Sequence, residues 1–180
     1  MDISQLVSRK ERVKLLEHLL FHPSEEIIPN RLAKKVGVSR SHAHKYVNIL
    51  RKAGLVKGKR LQETPMLQSV RTLFNVVKID DADVDGILKR HFPKMSCWGV
   101  FGSFASGTNA EESDLDIWLK AGTEPEDLEI ARAKKEVGEK LGVPVDIIAA
   151  TPKRLENFRA KSDAFYFSIY NGKIMWGEGL

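Results

Sequence analysis

The sequence predicts a two-domain α+β chain, with a helical, basic unit over residues 1–77 and a small mixed-sheet α/β unit over residues 78–180. Three observations carry this. In the first third of the chain, apolar side chains recur at helical spacing. From Met95 onward, short apolar runs alternate with charged amphipathic stretches, the pattern of strands and helices packed in layers. Charge divides at the same place: residues 1–77 carry 15 Lys/Arg against 6 Asp/Glu, and residues 78–180 carry 14 against 18. The formal net charge of +5 therefore conceals a basic part suited to a polyanion and a mildly acidic part.

Val13, Leu15, Leu16, Leu19 and Leu20 predict a helix over residues 8–21, with Ser8 as its cap and Pro23 beyond its end. Pro29 opens a second helix through Val36, and Leu32, Ala33 and Val36 face inward. Gly37-Val38-Ser39 makes a tight turn, and Ser39 or Ser41 caps a third helix to about Ala53, burying Ala43, Tyr46, Val47 and Leu50. Three helices with a glycine-containing turn between the second and third make a helix-turn-helix. Leu55–Lys57 and Val70–Val77 are expected as the two strands of a wing, joined by a polar loop through Thr64-Pro65. Residues Leu32–Val56 resemble the winged-helix family of transcriptional regulators. Arg40, Ser41, His42, His44, Lys45 and Asn48 are the expected groove-facing residues, and Lys57, Lys59 and Arg60 the phosphate contacts of the wing. His42 and His44, two apart on a helix, do not share a face and are not a metal pair. DNA is the expected partner, with a homodimer a reasonable expectation for such a domain.

In the second unit, the acidic run Asp80–Asp85 caps a helix over residues 82–91, whose first turn favours negative charge. Asp81-x-Asp83-x-Asp85-Gly86 echoes half a calcium loop but lacks the closing glutamate. Met95–Phe101 reads as a strand, Phe104–Gly107 as a short helix and Leu115–Lys120 as a second strand. Pro125–Leu141 reads as a charged amphipathic helix and Val143–Ala149 as a third strand. Thr151-Pro152 opens a further helix, Asp163–Tyr170 forms another, and Lys173–Trp176 is a last short strand. The aromatic cluster Phe165, Tyr166, Phe167, Tyr170 and Trp176 is expected to pack onto the sheet, a base-stacking platform being the alternative.

The chemistry lies in Trp98–Leu119. An apolar run ends in the turn Gly102-Ser103, and a second apolar run begins with Ser113-Asp114-Leu115-Asp116. Residues i and i+2 of a strand point to one face, so Asp114 and Asp116 project together and repel unless a cation lies between them. Gly102 lets backbone approach an anion closely, and Ser103 adds a hydroxyl and an N–H at the start of a helix. A third carboxylate, Asp146, is a lone charge in the apolar run Val143–Ile148, where ionisation is costly without a partner or a metal. Ser113 reads as a turn residue.

Gly102-Ser103 followed by Ser113–Asp116 resembles the signature of the DNA polymerase beta-like nucleotidyltransferases. More narrowly it is similar to the minimal nucleotidyltransferases, whose catalytic domain is about the size of residues 80–180. The resemblance implies a transferase acting on a nucleoside triphosphate with two Mg2+ ions (Mn2+ as the alternative) held by Asp114, Asp116 and Asp146, with Asp146 the third catalytic carboxylate. It further implies an acceptor hydroxyl on nucleic acid, protein or small molecule, and a place in a toxin–antitoxin pair with a helical partner protein. The chain departs from the family at Ser106, where an arginine or lysine is common before the glycine at Gly107. Lys120, Arg132 and Lys153 are alternative sources of that positive charge. The competing expectation is a DNA-binding regulator whose α/β domain senses nucleotide or mediates association without catalysis.

The lone Cys97 permits no internal disulfide and reads as a small buried residue. No run approaches the roughly 18 apolar residues of a membrane span, and the N-terminus lacks an apolar signal core. A cytoplasmic protein is expected.

Overall fold

The computed structural model describes residues 4–160 and 164–179. Two compact units emerge, Met1–Arg71 and Thr72–Leu180.

The first unit holds α1 (Ser4–Val7), α2 (Lys10–Phe21), α3 (Pro29–Val36), α4 (Arg40–Lys52), β1 (Val56–Lys57), β2 (Arg60–Leu61) and the start of α5 (Pro65–Asp81). Helix α2 starts at Lys10, with Arg9 at the cap position and no side-chain cap, so Ser8 does not serve there. Pro29 occupies the first turn of α3, where its missing N–H costs nothing. Ser39 caps α4 by accepting the His42 N–H at 3.2 Å. Leu15, Leu16, Leu19, Leu20, Leu32, Val47 and Leu50 bury the shared helical core. Tyr46 joins it and donates its hydroxyl to the Leu6 carbonyl at 3.1 Å. Burial pushes its phenol well above the ordinary tyrosine range.

One expected element is corrected. Residues 70–77, expected as the returning strand of a wing, are helical. Thr64 accepts the Leu67 N–H at 3.2 Å and Pro65 begins the helix, a capping residue followed by a proline at the first position. The buried residues of α5 are Leu67, Arg71, Asn75 and Ile79, an i+4 stripe. Arg71 is only 1% exposed. Its Nε donates to the Leu20 carbonyl at 3.0 Å, and its two Nη atoms fork onto Glu63 at 3.1 and 2.7 Å, so the charge is paired in planar geometry. The strand that pairs with β1 is β2, in a tight antiparallel hairpin with Val56 opposite Leu61 and Lys57 opposite Arg60.

The second unit continues through α6 (Val84–His91), β3 (Met95–Phe101), α7 (Gly102–Ser106), β4 (Leu115–Ala121), α8 (Asp127–Leu141), β5 (Val145–Ala150), α9 (Pro152–Ala160), α10 (Ala164–Tyr170) and β6 (Lys173–Gly177). Its four-stranded sheet has the order β5-β4-β3-β6, with β4 and β5 parallel and the other pairs antiparallel. On one face Val100, Leu115, Ile117, Leu119, Ile147 and Ala149 pack with Ile87, Leu88, Ala133 and Val137 from α6 and α8. The other face carries a smaller cluster of Cys97, Phe101, Trp118 and Ile169. Cys97 is buried, its Sγ accepts the Gly179 N–H at 3.1 Å, and burial raises its thiol pKa. Asp83 caps α6 by accepting the Gly86 N–H at 3.3 Å, and Asp85 takes the Trp98 indole N–H at 2.8 Å. Among the described residues, no helix is long and apolar enough to cross a membrane.

The expected packing of the C-terminal aromatics onto the sheet is corrected: Phe167, Tyr170 and Trp176 are exposed. Tyr166 stacks on Tyr170 and meets Phe167 edge-on, and Trp176 lies beneath the Lys89 ammonium, 4.1 Å from ring centre to Nζ. Among the described side chains of α10 the buried one is Ile169, because it faces Phe101 and Trp118 on the sheet. The Phe165 side chain and Asp163 lie outside the described residues.

Candidate functional site

Sheet pairing lines up the site. Phe101, the last residue of β3, lies opposite Asp116 on β4, and Asp116 lies beside Asp146 on β5. The turn at Gly102 and two of the three carboxylates thus form a row across three strands. Asp116 and Trp118 share strand parity, so the row belongs to the face of the smaller cluster. Asp114 stands exposed two residues before Asp116, on the lead into β4. Ser113 accepts the Ala110 N–H at 2.9 Å, which fixes the turn before it.

Gly102 has φ +66°, and a Cβ there would press into Asp116 Oδ2. Both facts exclude a side chain, so the backbone of the turn is held against the carboxylate. The Asp116 carboxyl is raised above its ordinary range, first by burial and then by the charges of Asp146 and Asp114. A positive ion at this position would relieve all three effects.

Lys134 of α8 also enters the site, donating from Nζ to Asp146 Oδ1 at 2.5 Å. Among the described residues, no three His, Cys, Asp or Glu side chains stand together as a ready metal cage. The residues nonetheless fit a hard dication in donor chemistry. Asp114, Asp116 and Asp146 offer carboxylate oxygens only, as Mg2+ requires, and the raised Asp116 marks a deficit of positive charge. Completing a three-carboxylate set requires Asp146 to share or release Lys134.

The back of the turn is pinned by α5. Asn75, 1% exposed, donates from Nδ2 to the Phe104 carbonyl and to Asn109 Oδ1, both at 2.8 Å. Thr72 adds a bond to the Ala105 carbonyl at 3.3 Å. The sequence reading missed Asn75, Asn109 and Lys134. The i+4 placement of Asn75 after Arg71 was the available signal for the first, and nothing in the local sequence marks Lys134.

Two clefts flank the row. A cleft of about 580 Å³ is lined by Gly102, Ala105, Ser106, Phe167, Ser168, Asn171 and Lys173. Another of about 430 Å³ reaches Asp146 and Lys134 along Ile130, Ile148, Arg154 and Phe158. Of the alternative cations to position 106, Lys120 is committed to the Gly179 carbonyl at 3.1 Å and Arg132 to Glu129 at 2.9 Å. Lys153 is exposed and lines neither cleft.

In the first unit, Arg40, Ser41, His42, His44, Lys45 and Asn48 all lie exposed on α4, and Lys57, Lys59 and Arg60 are exposed on the hairpin. Several are engaged locally. His42 bonds Ser39 at 3.0 Å, His44 bonds Asn30 at 3.1 Å, Asn48 accepts from Arg51 at 3.2 Å and Lys59 pairs with Glu26 at 3.4 Å. Separate partners for His42 and His44 agree with their pointing to different faces.

Residues 84–170 match the family model described as a nucleotidyltransferase domain. No curated protein matches the chain. Among solved structures, a toxin–antitoxin with AMP-PNP is similar at 22% identity over 58% of this chain and 74% of that chain, with a TM-score of 0.42. A tri-AMPylated Shewanella oneidensis HEPN toxin in complex with MNT antitoxin is similar at 19% identity over 59% and 73%, with a TM-score of 0.38. The toxin–antitoxin MntA-HepT gives 19% identity over 59% and 73%, with a TM-score of 0.37.

Proposed function

We propose that this chain is a nucleotidyltransferase that moves a nucleoside monophosphate from a nucleoside triphosphate to an acceptor hydroxyl. The observation that carries the reading is the row of Gly102, Asp116 and Asp146 across three strands, inside the segment that matches a nucleotidyltransferase domain. Gly102 lets the turn approach the phosphates, and the Ser103 hydroxyl and N–H bond their oxygens. Asp146 accepts the proton of the attacking hydroxyl. A bond forms between that oxygen and the α-phosphorus, the bond to the bridging oxygen breaks, and pyrophosphate departs in line. Asp114, Asp116 and Asp146 would hold Mg2+ or Mn2+, which supplies neutralisation of phosphate charge and a lowered pKa of the attacking hydroxyl.

The first unit is proposed to be a winged helix-turn-helix that binds DNA, with α4 in the major groove and the β1–β2 hairpin on the backbone. The exposure of all nine expected residues and the basic balance of residues 1–77 support it. The acceptor is proposed to be a hydroxyl of a helical protein partner, on the motif resemblance to minimal nucleotidyltransferases of toxin–antitoxin pairs.

A second reading has its own observation. With Lys134 on Asp146, the α/β unit serves as a nucleotide sensor beside a DNA-binding regulator. Incubation with each α-labelled nucleoside triphosphate, Mg2+ and cell extract separates the two. Transfer of label that disappears in Asp116→Asn and Asp146→Asn is expected. No transfer to any fraction, with duplex binding intact, replaces the first reading by the second.

A further inference from the structure

We infer that the cleft of about 580 Å³ beside Gly102 is the nucleoside triphosphate site and that Lys173 supplies its phosphate-binding cation. This rests on the nucleotidyl-transfer reading and extends it to residues outside the Gly-Ser and carboxylate pattern. A triphosphate tail carries several negative charges and needs a positive partner. Ser106, at the position facing the cleft from α7, offers no charge. Its hydroxyl is spent within the turn, 3.0 Å from the Gly102 carbonyl, 3.2 Å from the Ser103 carbonyl and 2.9 Å from Thr108 Oγ1.

Among the described residues, Lys173 is the one lysine or arginine lining the same cleft. Among the described residues no carboxylate pairs with it. Its backbone position is fixed with some force. Lys173 lies opposite Val100 in the β3–β6 pairing, two residues before Gly102. A Cβ on Gly172 would meet the Val100 carbonyl at 2.5 Å and the Ile169 carbonyl at 2.9 Å, so the start of β6 is seated directly against β3. The cation is therefore presented by a strand edge rather than by a loose loop. Asn171 and Ser168 add polar groups to the lining, and Phe167, 52% exposed, adds an aromatic ring that could stack on the base.

Equilibrium binding tests this, with ATP, GTP, CTP and UTP each titrated in MgCl2 against the full chain. For whichever triphosphate binds, Lys173→Ala is expected to weaken it about tenfold, the size of one charge-assisted hydrogen bond. Lys173→Arg should retain most of the affinity. Binding of the corresponding nucleoside, which lacks phosphates, should be unchanged, a split that a merely structural role of Lys173 would not produce. Adding Ser106→Lys to Lys173→Ala should restore binding by returning a cation to the cleft lining. Unaltered triphosphate affinity in Lys173→Ala, with wild-type binding intact, overturns the assignment of Lys173 alone. Failure of the wild-type chain to bind any of the four triphosphates removes the nucleotidyl-transfer reading and this site with it.

Discussion

Asn75 and Asn109 are bonded through their side-chain amides, with Asn75 Nδ2 donating to Asn109 Oδ1 at 2.8 Å and Asn109 Nδ2 returning to Asn75 Oδ1 at 3.4 Å. Both residues are buried, and Asn75 also holds the Phe104 carbonyl. The pair clamps α7 and the loop that leads to Asp114, so the turn and the first carboxylate share one support. Asn75→Ala strands a buried carbonyl and a buried amide. It is expected to cost about 2 kcal/mol of stability, the penalty of unsatisfied buried polar groups. Thermal or urea unfolding measures it. Label transfer should fall more than the loss of folded protein accounts for, because the turn loosens relative to β4.

Gly102→Ala forces a Cβ toward Asp116 Oδ2 at a backbone φ of +66°. The left-handed conformation alone costs a non-glycine residue about 1 kcal/mol, and the clash displaces the carboxylate or the turn. Transfer activity is expected to drop by at least about tenfold, the effect of a small misplacement in a positioned site. Unfolding should shift by less than it does in Asn75→Ala. A variant with unchanged transfer would mean that the turn does not approach the substrate.

The candidate row was legible in the sequence because its parts are local. Asp114 and Asp116 sit at strand spacing, Asp146 interrupts an apolar run, and Gly102 ends one. What the sequence concealed were the supports. Helix α5 reads poorly because its buried stripe contains Arg71 and Asn75, while Leu73 and Val77 face outward at 59% and 50% exposure. An apolar-in, polar-out rule inverts under those conditions, and a β-rich run of Val70, Val76 and Val77 passes for a strand. Lys134 and Lys173 were hidden for a different reason. Each reaches the site from an element remote in sequence, and a solvated lysine has no periodic signature.

His91 lies between Glu129 and Glu136 of α8, with Nδ1 at 3.0 Å from one and Nε2 at 2.9 Å from the other. The hydrogen bond to Glu129, then that to Glu136, raises its pKa above the ordinary 6.5. The stabilisation is thus complete below about pH 6.5 and is lost as pH rises through the higher folded value. Glu129 and Glu136 are lowered from 4.5, chiefly by bonding His91, so their share exists above about pH 4.5 and is lost as pH falls. The thermal midpoint should be highest between these limits. His91→Gln should flatten the alkaline side of the profile, and an unchanged alkaline side would show that this cluster does not set it.

If α4 and the hairpin bind DNA, their charges divide by role. Lys57→Ala and Arg60→Ala each remove one phosphate contact and should each reduce the slope of log affinity against log salt by about one. His42→Ala and Asn48→Ala should instead alter preference among duplex sequences with little change in slope. Filter binding across a salt series reads both. A flat salt dependence of the wild-type chain removes the nucleic-acid reading of the basic unit.

Lys134 holds Asp146 by a half-exposed ion pair, worth no more than about 1 kcal/mol at such exposure. Its removal should therefore leave unfolding nearly unchanged. Its effect on the site is larger in principle, because an ammonium and a dication compete for the same carboxylate oxygen. Lys134→Gln keeps a hydrogen-bond donor on a side chain one atom shorter but removes the charge. Transfer by this variant should reach half its maximum at a severalfold lower Mg2+ concentration than in the wild type. A higher requirement would assign Lys134 the opposite role, orienting Asp146 for the ion rather than excluding it.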